Sequence, residues 1–466
     1  MTTPQASQLD AAQIQALMAI VGPDAVKTGD EIAPEYARDE LVSTSSYPDA
    51  VVEPANTAQV RAIMRFAHTH RIPVTVRGAG TGLCGGSVPV HGGIVLSTTR
   101  LNRILEIDRE CMTATVEPGV LLLDFQKEVE KLGLFYPPDP GEKSATLGGN
   151  VSTNAGGMRA VKYGVTRDYV RGLEVVLADG EIVQLGGKPA KNSSGYNLVQ
   201  LLVGSEGTLG VITKIILRLV PLPALRMSLL APFPALATAI AAVPAILNSG
   251  VTPTALEFFQ DKVLHAFEES MGKPFPHTGA PAYLLIMLDG NSQTELDAAY
   301  AAVAEVCLRQ QALDVLIADT SERHSALWEA RGSFLQAVKA MSEIDEVDVV
   351  TPISRIAEFI MFCDSLAEEY GVRIYSFGHA GDGNGHVYLL RDAMDDATWR
   401  QRQDEVMRII YQKGAELGGA VSGEHGIGRA KRVYLHEQVG ETYMRLLRQI
   451  KQVFDPLGIL NPGKII

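Results

Sequence analysis

At 466 residues the chain is too long for one hydrophobic core to fill comfortably, so two or three domains are expected. Its 46% hydrophobic and 20% charged content is ordinary for a globular protein, while 41 Lys+Arg against 54 Asp+Glu leave a net charge of −13. That balance excludes nucleic acid as a natural partner, because phosphate binding needs a basic surface.

The Lys/Arg clusters of a protein bound to an anionic membrane are missing as well. Cys84, Cys111, Cys307 and Cys363 form no CxxC pair, which speaks against an iron–sulfur cluster or a Cys-rich zinc site. No disulfide framework is evident and the start, MTTPQASQLD, does not read as a signal peptide, so a cytoplasmic protein is expected. The uncharged run Met227–Leu256 is long enough to span a bilayer. Pro232, Pro234, Pro244 and Pro253 interrupt it, and it is expected instead to be a strand, 226–231, followed by a buried helix near 235–248. An integral membrane protein is therefore not expected.

In chain order, residues 8–20 predict a short amphipathic helix on a separate N-terminal segment, 1–45. A strand is expected at 50–52. The next helix has Asn56 or Thr57 as its cap and Val60, Ile63, Met64 and Ala67 on its apolar face. Strand 73–76 runs into RGAGTGLCGGS (77–87). Strands follow at 94–97, 104–108 and 113–116, then a helix near 121–132. Beyond the turn YPPDPG (136–141) and the block TLGGNVSTNAGG (146–157), strands are expected near 172–178, 182–185 and 214–219. Texture changes after Pro223, so the expected domains are 46–223, 224–420 and a closing segment, 421–466, that returns to the first.

The span 77–93 holds seven glycines. Glycine admits positive φ and close backbone approach, and successive N–H groups then make a concave anion site. A GxGxG sequence alone also suits a plain surface turn. The second block adds four glycines with Thr146, Ser152, Thr153 and Asn154, a density of small donors suited to an extended polar cofactor.

With these motifs in hand, the first domain resembles the FAD-binding domain of the vanillyl-alcohol-oxidase superfamily. VRGAGTGLCGGS, PPDPG, TLGGNVSTNAGG, GSEGTLGVIT and the terminal NPGK occur in that family's order. The resemblance implies an α+β protein: a two-part FAD-binding domain of the vanillyl-alcohol-oxidase type with an α+β substrate, or cap, domain. It implies that Arg77, Gly78, Ala79, Gly80, Thr81, Gly82, Gly85, Gly86 and Ser87 wrap the pyrophosphate. Along the rest of the cofactor it puts Pro138, Asp139, Gly141, Thr146, Gly148, Gly149, Ser152, Asn154 and Gly156. Glu206, Gly210, Ile212 and Asn461 complete the implied set. Relatives that bind FAD covalently through this loop use a histidine; loop 77–87 has none, so noncovalent FAD is expected, with Cys84 the one alternative point of attachment.

SFGHAGDGNGHVYLL (376–390) reads as strand, glycine turn, strand, with His379 and His386 on its two shoulders; SGEHGIG (422–428) sets Glu424 beside His425. Any one of these histidines is ordinarily a structural residue. Two imidazoles and a carboxylate together form an open site for a divalent ion. The two loops resemble GHxGDGNxH and EHGIG of the FAD-linked D-2-hydroxy-acid dehydrogenases. These include D-lactate dehydrogenase, the glycolate oxidase catalytic subunit and D-2-hydroxyglutarate dehydrogenase. The resemblance implies His379, His386 and Glu424 as ligands of zinc, iron or manganese, His425 as the base that also meets substrate, and Asn384 as a substrate contact. A metal on the substrate oxygen would lower its pKa, His425 would take the proton, and hydride would pass to the flavin. Arg331, in LWEARGSF, resembles the arginine that clamps the substrate carboxylate, a task suited to a guanidinium fork.

Dicarboxylate-specific relatives carry threonine four residues and lysine fifteen residues after this arginine, where this chain has Leu335 and Glu346. A short monocarboxylate, D-lactate first, is therefore the expected substrate. Lys339 is the one cation on the same predicted helix that could reach in. MSEIDEVDVVTPISR (341–355) resembles bacterial lactate and glycolate members, some of which pass electrons to an electron-transferring flavoprotein; a quinone is the other expected acceptor. The rival readings are a noncatalytic flavin-binding subunit, an ether-lipid transferase of related fold, and a pure binding module. The sequence leaves the oligomeric state open.

Overall fold

The computed structural model describes residues 9–41, 44–318 and 320–466. It divides into two compact units. The first comprises 1–156, 165–222 and 424–466; the second comprises 157–164 and 223–423.

The first unit is built on two main sheets, with a separate two-stranded ribbon of Leu134–Phe135 and Val220–Pro221. A four-stranded sheet has the order Val26–Thr28, Ala50–Val52, Ile94–Ser97, Val74–Arg77, its last three strands parallel. Parallel pairing requires a crossover, and the helix Thr57–His70 supplies it between the strands at 50–52 and 74–77. Asn56 caps that helix by accepting from the Gln59 N–H, and Val60, Ile63, Met64 and Ala67 are its buried stripe. A five-stranded antiparallel sheet has the order Ile104–Asp108, Thr113–Val116, Val211–Arg218, Val170–Val176, Ile182–Gly186. Leu17 of the helix Ala11–Val21 and Val26 lie in the same core as the crossover helix, so the N-terminal segment expected as a separate piece is part of this unit. The closing segment contributes Ile459 and Leu460, with Leu460 bridging in parallel to Val74.

The second unit is a seven-stranded antiparallel sheet of order Leu316–Ala318, Leu225–Phe233, Ala282–Gly290, Ala255–Gln260, Arg373–His379, Asn384–Leu390, Ile344–Val350. The uncharged run 227–256 becomes an interior strand of this sheet plus the helix Leu236–Leu247. Among the described residues no helix is long and apolar enough to cross a membrane. One face of the sheet carries Phe259, Tyr283, Phe377 and Tyr388 and packs on helices Asp261–Met271, Ser321–Gly332 and Phe334–Met341. The other face meets Phe359 and Ile360 of helix Ile356–Tyr370, which would lie 3.6 and 3.0 Å from a Cβ at Gly385. Residues 157–164 join this unit through Lys162 and Tyr163, both of which bond Asp289.

Candidate active site

Polar residues collect on one face of the second unit's sheet because strand side chains alternate. The hairpin Arg373–His379 and Asn384–Leu390 pairs His379 with Asn384 and Phe377 with His386 across a four-residue turn, 380–383. Antiparallel pairing across an even-length turn puts two residues on one face when their interval is odd. The spacing of seven, awkward in the sequence, is therefore what brings both imidazoles together, with ring centroids 5.2 Å apart. Gly383 has φ +82°, and a Cβ there would lie 2.1 Å from the Thr351 carbonyl oxygen, so the turn requires glycine.

The neighbouring strands extend the same face. Glu257 stands opposite His379, and Asp348 stands opposite His386. Glu257 has no exposure and accepts from His379 Nδ1 at 2.8 and 2.9 Å. A carboxylate can only accept, so Nδ1 carries the hydrogen and the lone pair of His379 lies on Nε2. Asp348 is equally buried; it accepts from Asn384 Nδ2 at 2.8 Å, Ser422 Oγ at 2.8 Å and the Gly423 N–H at 3.1 Å. Its Oδ1 is 3.8 Å from His386 Nδ1, and Glu346 Oε1 is 3.5 Å from the same nitrogen.

Arg331 reaches this face from helix Ser321–Gly332 and is 6% exposed. Its guanidinium lies 4.9 Å from the Phe377 ring centre. Nη2 is 2.6 Å from Glu257 Oε2 but is not aligned for a hydrogen bond. Among the described residues neither Nη2 nor Nε of Arg331 has a hydrogen-bond partner, although both are buried. A buried N–H without a partner costs about 1–3 kcal/mol, so this guanidinium is set up to receive an acceptor. Lys339 is not on that helix: the chain breaks at Ser333, next to the weak helix former Gly332, and Lys339 is half-buried on the following helix. Leu335 packs against the aromatic core.

In the first unit the glycine loop behaves as backbone chemistry. Arg77 donates to the Arg38 carbonyl at 2.8 Å and to Ser87 Oγ at 3.2 Å, and a Cβ on Gly80 (φ +79°) would lie 1.8 Å from its guanidinium. Among the described residues no backbone N–H from Gly78 through Gly82 donates a hydrogen bond. Five successive half-buried N–H groups of that kind suit the oxygens of a pyrophosphate. Thr146 caps the short helix Leu147–Thr153 by accepting from the Gly149 N–H, and Ser152 Oγ donates to the Gly148 carbonyl. Pro138 accepts from Gln126 Nε2, and Asn154 Oδ1 accepts from the Arg167 N–H. Gly210 is close-packed on Val175, and Gly141 is open to solvent.

Glu206 does something the sequence did not suggest. Its carboxylate accepts from the N–H groups of Ile427 at 2.7 Å and Gly428 at 2.8 Å, holding the end of the EHGIG segment. Burial pushes its carboxyl up to about 7. Asn461 Nδ2 donates to the Gly86 and Glu206 carbonyls, and Lys464 Nζ donates to that of Val88. Burial lowers the Lys464 amine to about 8. Cys84 donates from Sγ to the Gly426 carbonyl at 3.3 Å. At Gly156 a Cβ would lie 2.8 Å from Glu424 Oε2, so glycine lets the second block approach that carboxylate. Glu424 Oε1 is 3.6 Å from His425 Nε2.

Four of the expected site residues, Arg331, His379, Asn384 and His386, thus come together on one sheet face. Glu424 and His425 follow Gly423 directly in the chain but belong to the first unit, as do the cofactor-loop residues. Glu257 and Asp348 were missed. For Glu257 the signal is a carboxylate at an inward position of a largely apolar strand, ALEFFQ; Asp348 lies in the acidic strand IDEVDVV, where nothing in the sequence singles it out.

Together, the two units make the FAD-binding fold of the vanillyl-alcohol-oxidase type. The chain superposes on 4-ethylphenol oxidase from Gulosibacter chungangensis with a TM-score of 0.80 at 21% identity, over 99% of this chain and 98% of that one. Residues 48–186 match the FAD binding domain family, and 222–465 match the C-terminal domain of FAD linked oxidases. A D-lactate dehydrogenase of Anaerostipes hadrus is 46% identical over 96% of this chain and 95% of its own. Glycolate oxidase subunit GlcD of Bacillus subtilis is 41% identical over the same shares of the two chains. The chain belongs to the FAD-linked oxidase family and is a flavoprotein oxidoreductase.

Proposed function

We propose that this protein oxidises a short D-2-hydroxy acid, with D-lactate to pyruvate as the leading reaction. One observation carries the reading: Arg331, almost wholly buried on the face of the two histidines and ion-paired to Glu257 through Nη2, has a buried Nε–H that no described residue accepts. A substrate carboxylate is the acceptor such a fork is shaped for. The names of the relatives, one a D-lactate dehydrogenase and one a glycolate oxidase subunit, support it.

In this reading Arg331 holds the carboxylate and Asn384 contacts the substrate. His425 accepts the hydroxyl proton, a task suited to an imidazole at neutral pH. His379, His386 and Glu424 would hold a divalent cation. The donor set fits: Glu257 leaves the lone pair of His379 on Nε2, and the His379 and His386 rings lie 5.2 Å apart on one sheet face. FAD, held noncovalently by the glycine loops, supplies the two-electron acceptor, and the cation supplies positive charge for the alcohol oxygen. Glu346, 3.5 Å from His386, would repel a second carboxylate on the substrate. Electrons then leave to a separate acceptor, an electron-transferring flavoprotein or a quinone. A cytoplasmic location is part of the same proposal.

The test is anaerobic mixing of the yellow holoenzyme with D-lactate, glycolate, D-2-hydroxybutyrate and D-2-hydroxyglutarate. Rapid bleaching by D-lactate is the expected result. A flavin that none of the four bleaches, in metal-loaded protein, would mean a noncatalytic subunit or a transferase. Acid precipitation should leave the yellow colour in the supernatant; colour in the pellet would show covalent attachment, with Cys84 the residue to examine.

A further inference from the structure

We propose that Glu257 is a positioning residue that sets the metal-binding nitrogen of His379 and the carboxylate-binding face of Arg331 at once. The inference rests on the metal and clamp roles proposed above. Glu257 lies on an inner strand of the sheet, fully buried, with Phe259 two residues along on the same face and packed in the aromatic core. A carboxylate in such surroundings is costly unless paired and hydrogen-bonded. Here both oxygens face His379 Nδ1, at 2.8 and 2.9 Å, and Oε2 also faces Arg331 Nη2 at 2.6 Å. A carboxylate behind an imidazole fixes its tautomer and ring orientation, and losing such a partner typically weakens metal binding by about 10–100-fold. The same group meets Arg331 at Nη2, leaving the buried Nε without a hydrogen-bond partner for an incoming anion.

Glutamine at this position discriminates between positioning and mere filling of space. Either orientation of its amide sets an NH2 group within 2.9 Å of His379 Nδ1, where the native carboxylate offers an oxygen. That clash is relieved if the imidazole moves its hydrogen to Nε2, which removes the lone pair a cation needs. Glu257→Gln alone also leaves Arg331 as an uncompensated buried charge, which can unfold the protein. The informative comparison is therefore Arg331→Met against Arg331→Met/Glu257→Gln, each as FAD holoenzyme with its melting temperature recorded.

The measurement is Mn2+ affinity by titration of metal-stripped holoenzyme, for the native protein and both variants. Arg331→Met, in which Glu257 loses its cation but keeps its bonds to His379 Nδ1, should lower the melting temperature and still bind Mn2+ nearly as the native protein does. The double variant should bind it about tenfold more weakly, and a loss of threefold or more supports the proposal. A loss below threefold overturns it and leaves the metal site itself standing. Native holoenzyme that binds no Mn2+ overturns the metal reading and the positioning role with it. In metal-saturated Glu257→Gln, if it folds, KM for D-lactate should rise as Arg331 loses its alignment; an unchanged KM counts against the second half of the proposal.

Discussion

The loop at 77–87 and the sheet face around His379 solve opposite problems with opposite means. In the loop, Gly78 through Gly82 present bare N–H groups, and glycine is required because a side chain at Gly80 would collide with Arg77. On the sheet face the backbone is consumed by strand pairing, and everything available for chemistry is a side chain: Glu257, Arg331, His379, Asn384, His386 and Asp348. A backbone site tolerates change in any residue but its glycines. A side-chain site depends on each group and on the buried partners that orient it. Substitutions in the two regions should therefore fail in different ways: loop variants lose cofactor, face variants keep it and lose metal or rate.

The largest effect is expected from His386→Ala. Turnover should be abolished and metal content, measured by elemental analysis, should fall, while the flavin absorbance of the purified protein is unchanged. A metal-free variant that turned over at the native rate would remove the side-chain half of the comparison. Next comes His425→Ala, for which stopped-flow flavin reduction should slow by roughly two to four orders of magnitude, the usual weight of general acid–base catalysis. Metal content should fall less than in His386→Ala. Normal flavin reduction would reduce His425 to a neighbour of Glu424.

The two regions also differed in how far the sequence disclosed them. Glycine clusters are visible as composition, and the strand before the loop and the crossover helix with its Asn56 cap announced the surrounding fold by period and capping chemistry. The histidines were visible as a motif pair. Their orienting carboxylates were not, because Glu257 and Asp348 become meaningful only through register: each is opposite a histidine on a strand distant in sequence. A second role of Glu206 is hidden for a similar reason. Its place in GSEGTLGVIT suggested the cofactor, while its carboxylate is engaged by two N–H groups more than two hundred residues later. The break at Ser333 that moves Lys339 off the Arg331 helix was hidden because Gly-Ser within a helical pattern is compatible with either outcome.

Glu206 gives a pH test confined to the first unit. Its carboxyl stands near 7, above the ordinary value of 4.5, because burial disfavours the charge. A raised pKa contributes stability that is complete below 4.5 and is lost as pH rises through about 7. Native protein should therefore lose melting temperature between pH 5 and pH 8 faster than Glu206→Gln, with a differential on the order of 3 kcal/mol. Parallel curves would show that the carboxyl is already ionised at pH 5. A smaller effect is expected from Gly80→Ala, where positive φ and the Arg77 contact together oppose a side chain. FAD affinity should fall by roughly thirtyfold, about 2 kcal/mol, with circular dichroism unchanged. Unaltered affinity would mean that the loop is a tight turn with no pyrophosphate role.

The smallest effect tests what the sheet face selects. An unpaired second carboxylate in a closed site costs several kcal/mol, so a dicarboxylate needs a second buried cation. Where dicarboxylate-specific relatives keep lysine, this chain has Glu346, mostly buried and 3.5 Å from His386 Nδ1 on the histidine face. Lys339, on its separate helix, is not carried by the element that aims Arg331. The values of kcat/KM for D-lactate, glycolate and D-2-hydroxybutyrate should therefore exceed that for D-2-hydroxyglutarate by at least about tenfold, roughly 1.4 kcal/mol. Glu346→Gln should narrow the gap from one side only, by raising the dicarboxylate rate and leaving D-lactate little changed, because neutralising the residue removes repulsion without supplying an anchor. If D-2-hydroxyglutarate leads in the native enzyme, a distal cation must come from an element other than the helix of Arg331. If Glu346→Gln slows D-lactate as much as it speeds the dicarboxylate, Glu346 acts through His386 rather than on the substrate.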